Sequence, residues 1–366
     1  MKFRTFFSKV VLLPLSKLYG AGTYVRNKMF DFKMLPVHSF DVPIIVVGNI
    51  ACGGTGKTPI TEYIIEAMRL KYHIAMVSRG YKRDTKGFVV ATSNSTPTDI
   101  GDEAYQIYKK FGGKVVVAVG EDRVNAIKEV LAIDPDINLI VLDDAFQHRY
   151  VQPTLSIVVT ECNRPYYNDH LLPYGRLRES KMAVNRADFV VVSKCPPTLK
   201  DIDYRLIGKS LNLFPCQELF FSRMLYQELV PIFPEHTRSV PYLDWMSEDD
   251  AILAVAGIGN PRPFVRYLKN FKPRVRVNVF SDHHKFTRRD MDLLLERFRT
   301  MRGGKRVLIT TEKDAVRMAA SPYFPPELRS AAFYLPIKLE FSSHSTSKFE
   351  EAIERHLRQQ IKLKKN

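Results

Sequence analysis

The sequence is short of cysteine. Its 366 residues hold four, Cys52, Cys162, Cys195 and Cys216, and no two of them form a CxxC pair. That spacing argues against a structural zinc site, and four scattered thiols cannot frame a chain of this length. A reducing, cytoplasmic compartment is expected. A long apolar run is also missing. A spanning helix needs about 20 consecutive apolar residues, whereas near the N-terminus Lys9 and Lys17 bracket a short uncharged run that Pro14 interrupts. There is no internal repeat, no low-complexity tract and no RNA- or DNA-binding module, so no nucleic-acid partner is expected. Acidic residues are outnumbered, 39 against 55 Lys plus Arg, for a net charge of +16. Such an excess favours an anionic partner, here a phosphorylated ligand or an acidic membrane surface. What remains, 45% apolar and 26% charged residues, is a globular composition, long enough for two domains with their own cores.

The N-terminus carries its own pattern. Phe3, Phe6, Phe7, Val10, Val11, Leu13 and Leu18 recur at roughly helical spacing, with Lys2, Arg4, Lys9, Lys17, Arg26 and Lys28 among and after them. The first acidic residue is Asp31. This reads as a basic amphipathic helix lying in a membrane interface. The alternatives are a secretory signal, since MKFR precedes an apolar stretch, and a helix packed on the protein's own core. A cytoplasmic nucleotide site, argued next, speaks against export.

Beyond residue 40, short β-branched runs at 44–47, 73–77, 115–119, 139–142, 156–160 and 189–193 alternate with helical stretches. Such runs, apolar throughout, are expected of parallel strands buried on both faces, so the fold class is α/β with a doubly wound parallel sheet. The rhythm breaks around 196–215. Two extended segments, 219–225 and 228–233, suggest a connecting ribbon, and a second α/β run (251–256, 275–280, 307–310) follows. The expected division is a helix at 1–32, a nucleotide-binding lobe at 33–215, a ribbon at 216–234 and a second, smaller lobe at 235–366.

The strongest motif joins an apolar strand to a glycine-rich turn, VVGNIACGGTGKT at 46–58, with a helical pattern starting near Pro59. Backbone N–H groups of such a loop bind phosphate oxygens. Gly53, Gly54, Thr55 and Gly56 form the cradle, Lys57 neutralises the β- and γ-phosphates, and the Thr58 hydroxyl holds Mg²⁺. Ala51 stands where this loop usually has glycine, with Gly48, Gly53 and Gly54 supplying freedom nearby. A second strand ends LIVLDD, and Asp143 and Asp144 are the candidate metal carboxylates. Successive strand residues face opposite sides, so only one is expected to touch the metal.

These residues sit in a longer order of motifs: VPIIVVGNIACGGTGKTP from Val42, VSRGYKR from Val77, GDEAYQI from Gly101, LDDAFQHR from Leu142, LLPYGRLRES from Leu171, DHHKF from Asp282 and TTEKDAVR from Thr310. In this combination the chain resembles the tetraacyldisaccharide 4′-kinase family over roughly residues 42–317. The resemblance implies a P-loop NTPase lobe, a second α/β lobe, a β-ribbon hinge and a membrane-associated N-terminal helix. It also implies ATP and Mg²⁺, and transfer of the γ-phosphate to the 4′-hydroxyl of a tetraacyldisaccharide 1-phosphate, the lipid A precursor. The place would be the cytoplasmic face of the inner membrane of a Gram-negative bacterium. Ala145, Tyr174 and Arg176 depart from the family pattern on the acceptor side.

Asp102 opens an apparent helix, and its residue type suits either a general base or a helix N-cap; the resemblance favours the base. His283, after Asp282, would pair with Asp102 across the cleft, again on the strength of the resemblance and in preference to His284. Arg178 and Glu179 are candidates for the acceptor or the nucleotide side. Arg79 and Arg149 suit phosphate oxygens or structural ion pairs. The competing reading is a P-loop GTPase or ATPase acting as a switch or metallochaperone. It rests on Ser193-Lys194-Cys195, a faint base-recognition loop that lacks the following Asp.

Overall fold

The computed structural model describes residues 8–282, 284–345 and 347–365, with the backbone alone at 8–9 and 361–365. The residues named above at positions 2–7, and His283, lie outside the described residues.

The Val- and Ile-rich runs become strands because each can be covered on both faces. β1 (Ile44–Gly48), β2 (Ile74–Ser78), β4 (Val116–Val119), β5 (Leu139–Asp143), β6 (Leu155–Glu161) and β7 (Phe189–Ser193) are buried almost throughout. With β3 (Val89–Val90), β8 (Glu218–Tyr226) and β14 (Ile337–Phe341) they make a nine-stranded sheet in the order β14-β8-β7-β6-β1-β5-β2-β4-β3. It is parallel except at its edges, where β3 and β14 run antiparallel to their neighbours.

Two apolar layers sandwich this sheet. On one side Ile60 and Ile64 of α2 (Lys57–Met68), Ala104 and Ile107 of α3 (Asp102–Phe111), and Phe349 and Ile353 of α9 (Phe349–Lys365) meet Val47, Val141 and Phe189. On the other, Val124, Ile127 and Val130 of α4 (Arg123–Ile133) and Leu211 of α5 (Asp201–Leu211) meet Val46, Leu142 and Val190.

A second sheet, in the order β11-β10-β12-β13-β9, comprises β9 (Val230–Pro231), β10 (Ala251–Ala256), β11 (Arg274–Val279), β12 (Arg306–Thr311) and β13 (Ala332–Leu335). It is covered by α6 (Arg262–Leu268) on one face, and by α7 (Arg288–Arg299) and α8 (Glu312–Ala319) on the other.

Sheet membership differs from the expected division. Residues 337–365 follow the second sheet in sequence, yet β14 pairs with β8 and α9 packs on the first sheet. The reason is apolar cover: Leu339, Phe349, Ile353 and Leu357 bury the face that Leu155, Phe189 and Phe220 would otherwise expose. The chain therefore crosses between sheets twice, side by side, with the Gln227 amide donating to the Pro336 carbonyl at 3.0 Å. Antiparallel pairs flank the crossing, β8 with β14 on one side and β9 with β13 on the other.

The N-terminal segment is a wide turn, Ser8–Leu12, running into α1 (Leu13–Asp31), where Pro14 occupies the tolerated first turn. Its inner side is polar along most of its length and ends on the buried Phe30 ring against Tyr150. Ser16 Oγ donates to the Leu171 carbonyl at 2.8 Å, the Tyr19 hydroxyl to the Arg178 carbonyl at 2.8 Å, and Asn27 Nδ2 to Glu179 at 2.9 Å. Its apolar residues Val10, Val11, Leu13, Leu15, Leu18, Tyr24 and Val25 face outward. Among the described residues no helix is long and apolar enough to cross a membrane.

Candidate active site

The carboxyl ends of parallel strands are where open α/β sheets leave a crevice, and here that crevice holds the glycine-rich loop. β1 ends at Gly48, where an added Cβ would lie 2.5 Å from Phe146 Cβ. Gly48 is thus required by close packing, not by the conformational freedom expected of it. Gly53 and Gly56 do need that freedom, with φ of +109° and +93°. Ala51 does not: it forms a bridge with Leu177, flanked by Cys52 N to Arg176 O at 2.8 Å and Arg178 N to Ile50 O at 2.7 Å. This pairing explains how alanine serves at a position where glycine was expected.

Side chains hold the rest of the loop. Asn49 Nδ2 donates to Thr55 Oγ1 at 2.7 Å, Ser193 Oγ to the Thr55 carbonyl at 2.5 Å, and Lys194 Nζ to the Gly54 carbonyl. The segment that faintly resembled a base-recognition loop is therefore a brace for the phosphate loop. Helix α2 begins at Lys57, two residues earlier than the sequence suggested, and Lys57 Nζ reaches to 3.6 Å from Asp144.

Asp143 and Asp144 end β5 opposite. Asp143 is fully buried and accepts from Thr61 Oγ1 at 2.9 Å. Asp144 leaves the strand at φ +47°, so both carboxylates line one cavity instead of facing opposite sides. Asp144 lies 3.6 Å from Lys57 Nζ and 3.0 Å from Arg178 Nη1. Burial alone would raise its pKa, but Lys57 and Arg178 outweigh that and hold it below the usual carboxylate range. Asp143 is pushed up to about 7, by burial and then by the charge of Glu103, with Lys57 opposing. Asp143 and Asp144 lie side by side at the strand end, two carboxylate donors that suit a divalent cation drawing its remaining ligands from phosphate oxygens and water; among the described residues no three His, Cys, Asp or Glu side chains form a metal cage by themselves.

The same cavity, about 530 Å³, continues toward α1. Its far wall carries Arg26, Arg79, Arg123, Gln147, His148, Arg178 and Glu179. Arg123 is almost wholly buried; its Nη1 donates to the Gly120 and Glu121 carbonyls at 2.9 and 3.2 Å, while its Nε has no hydrogen-bond partner. Burial and then the neighbouring Arg79 lower the Arg123 pKa to about 10. Burial and then Arg123 lower that of His148 to about 4. Like charges held together with a donor unpaired make this wall suited to an anion.

Asp102 lies on the wall between these two regions. It is the first residue of α3, after the N-cap Gly101 at φ +84°. Its carboxylate accepts from Arg317 Nη2 at 2.7 Å and Nε at 2.9 Å. Glu103 accepts from Lys313 Nζ at 2.6 Å. His284 is committed elsewhere, bonded to Asp290 at 2.9 Å and stacked on Phe280. Arg149 does not reach the cavity: it donates to the Asn27 carbonyl and to Asp31 at 2.9 Å each and covers the Phe30 ring, tying down the end of α1. Glu179 is likewise engaged by Asn27 and by Arg186 at 2.8 Å, with only Oε1 unpaired.

The structure thus brings Arg79, Asp102, Asp143, Asp144, Arg178 and Glu179 to one cavity, with Lys57 3.6 Å from Asp144, and leaves Arg149 apart. Sequence reading missed Arg123, His148, Lys313 and Arg317. His148 stands in the LDDAFQHR motif and Lys313 and Arg317 in TTEKDAVR, while Arg123 lies outside the quoted motifs, in the GEDR turn between a strand and a helix.

Comparison with known proteins agrees with this architecture. The family described as Tetraacyldisaccharide-1-P 4′-kinase matches residues 8–358. The tetraacyldisaccharide 4′-kinase of Bacteroides thetaiotaomicron is 44% identical over 355 residues, covering 95% of this chain and 93% of its own. That of Flavobacterium johnsoniae is 40% identical over 351 residues, covering 96% and 98%. Among solved structures, the "apo" form of LpxK from Aquifex aeolicus in complex with ATP shares the fold with a TM-score of 0.71 at 25% identity, covering 94% of this chain and 98% of that one.

Proposed function

The chain belongs to the tetraacyldisaccharide-1-P 4′-kinase family, and from that premise we propose how its own residues carry out the reaction. The enzyme transfers the γ-phosphate of ATP to the 4′-hydroxyl of a tetraacyldisaccharide 1-phosphate, giving the 4′-phosphorylated lipid A precursor. One observation supports the residue assignment: Asp102, the Asp143–Asp144 pair and the arginine-rich wall line a single cavity next to the phosphate loop.

Gly53 to Thr58 cradle the nucleotide phosphates, and Lys57 neutralises charge on the β- and γ-groups. Thr58, Asp143 and Asp144 would hold Mg²⁺, which when bound supplies charge neutralisation for the transferring group. Arg79, Arg123 and Arg178 line the far wall, where they suit the anionic end of the acceptor. Asp102 accepts the proton of the 4′-hydroxyl as its oxygen bonds to the γ-phosphorus and the bond to the β-phosphate oxygen breaks. Glu179 and Arg149 serve by fixing α1, which forms part of the acceptor wall.

The acceptor stays in a bilayer, so the site has to reach the interface. The outward apolar face of α1 and the basic excess suit the anionic inner surface of a cytoplasmic membrane. ATP places the reaction on the cytoplasmic side, at the inner membrane of a Gram-negative cell, with the protein peripheral.

The test is transfer of labelled γ-phosphate to purified tetraacyldisaccharide 1-phosphate in detergent micelles. Wild type should give labelled lipid. Lys57→Ala and Asp102→Ala should each lose at least ~10²-fold in kcat while melting as wild type does. Wild-type turnover by Asp102→Ala would remove it as the base, and wild-type turnover by Lys57→Ala would remove the phosphate-loop assignment.

A further inference from the structure

The second lobe meets the nucleotide lobe at the start of α3. Lys313 and Arg317, one turn apart on α8, meet Glu103 and Asp102, the first two residues of α3, at 2.6 and 2.7 Å. Arg317 is prepared for this contact. Its Nη1 donates to Asp314 Oδ1 at 2.9 Å and to the Gly257 carbonyl at 3.2 Å. Asp314, fully buried, accepts from the Gly257 amide at 2.8 Å and the Thr311 hydroxyl at 2.6 Å. Gly257 follows β10 and Thr311 ends β12, so two central strands of the second sheet fix the direction of the guanidinium.

An exposed ion pair that merely glued two lobes would be worth little and could sit anywhere along the seam. These two sit instead on consecutive carboxylates in the cavity wall, and the Arg317 side chain is only 7% exposed. Gly101 turns the chain just before them; an added Cβ there would lie 3.0 Å from the Tyr81 carbonyl, so this end of α3 is also closely packed.

We infer that Arg317, held by Asp314 and assisted by Lys313, is a positioning residue that orients the Asp102 carboxylate from across the cleft, so that the nucleotide lobe has a competent acceptor-side wall only when the second lobe is docked. The inference rests on the reading of Asp102 as proton acceptor. Its physical content is orientation: small misplacements of a reacting group are expensive in rate, about 10²-fold per ångström.

A double-mutant cycle separates this role from a structural one. Arg317→Ala should lower kcat about tenfold to a hundredfold, with ATP affinity and acceptor KM held within about twofold. Arg317→Lys, which keeps the charge, should recover part of the loss. In an Asp102→Asn background, Arg317→Ala should change kcat by less than about twofold, because the group it orients is gone. Wild-type kcat for Arg317→Ala, or the same loss in both backgrounds, overturns the inference. Loss of ATP binding and of cooperative melting in both Arg317 variants overturns it too, by assigning the residue to folding. Full turnover by Asp102→Asn alone would instead sink the base reading, with the coupling between the two positions still read from the cycle.

Discussion

Glu312, the first residue of α8, has no part in the proposed chemistry, yet its carboxyl is buried beside a like charge. Burial and then the neighbouring Glu62 push its carboxyl up to about 7. Glu62 is satisfied by Lys110 at 2.5 Å and Gln106 at 2.9 Å, which leaves Glu312 facing a negative neighbour. Its folded pKa lies above the unfolded value of 4.5, so the stability linked to its proton is present below that value and is lost as pH rises through about 7. Glu312→Gln should therefore raise the melting temperature at pH 8 by a few degrees, about 2–4 °C per kcal/mol recovered, and change it little at pH 4. Equal shifts at both pH values would refute the assignment. The same scale shows which site residues were readable in advance. Lys57, Thr58, Asp143, Asp144 and Asp102 stand in local sequence patterns that carry their geometry with them. Arg317 and Lys313 reach their partners across more than 200 residues of chain, and a contact of that kind leaves no mark on either segment alone. Arg149 suited either phosphate or a structural ion pair by residue type, and its bonds to Asp31 and the Asn27 carbonyl place it with the second.

Among the elements, α1 is largely inverted relative to an ordinary surface helix, with polar Ser16, Thr23 and Asn27 on its inner or half-buried side, leucines and valines outside, and Phe30 as its buried apolar anchor. Replacing Leu15, Leu18 and Val25 together with serine should leave the melting temperature nearly unchanged, within about 1 kcal/mol. It should also sharply reduce co-sedimentation with anionic vesicles; unchanged vesicle binding would remove the interface role of this helix. The helix was legible from spacing and charge, as were the six central strands, because a continuous β-branched run has few other uses. β13 and β14 were not. Each is four or five residues long, they are separated only by Pro336, and β14 alternates Ile337, Leu339 and Phe341 with Lys338 and Glu340. Their strand character comes from the partners they meet, β12 and β8.

For the molecule as a whole, the consequential feature is that the last elements of the chain complete the first sheet. A chain ending after Leu335 loses Leu339, Phe349, Ile353 and Leu357 from the core. Each such loss costs about 2–5 kcal/mol, against a total stability of about 5–15 kcal/mol. The truncated protein should be recovered in the insoluble fraction, and a soluble product that binds ATP would contradict this. During synthesis the same arrangement sets an order of events. β8 leaves the ribosome with one edge unpaired and stays so while residues 227–336 are made. At roughly 5–20 residues per second that wait is about 5–20 s. Phe220 and Phe221 lie on that strand, so the nascent chain carries a sticky apolar edge throughout. The nucleotide lobe is first to begin and last to be finished, and a chaperone that shields β8 would protect its yield more than one acting on the second lobe.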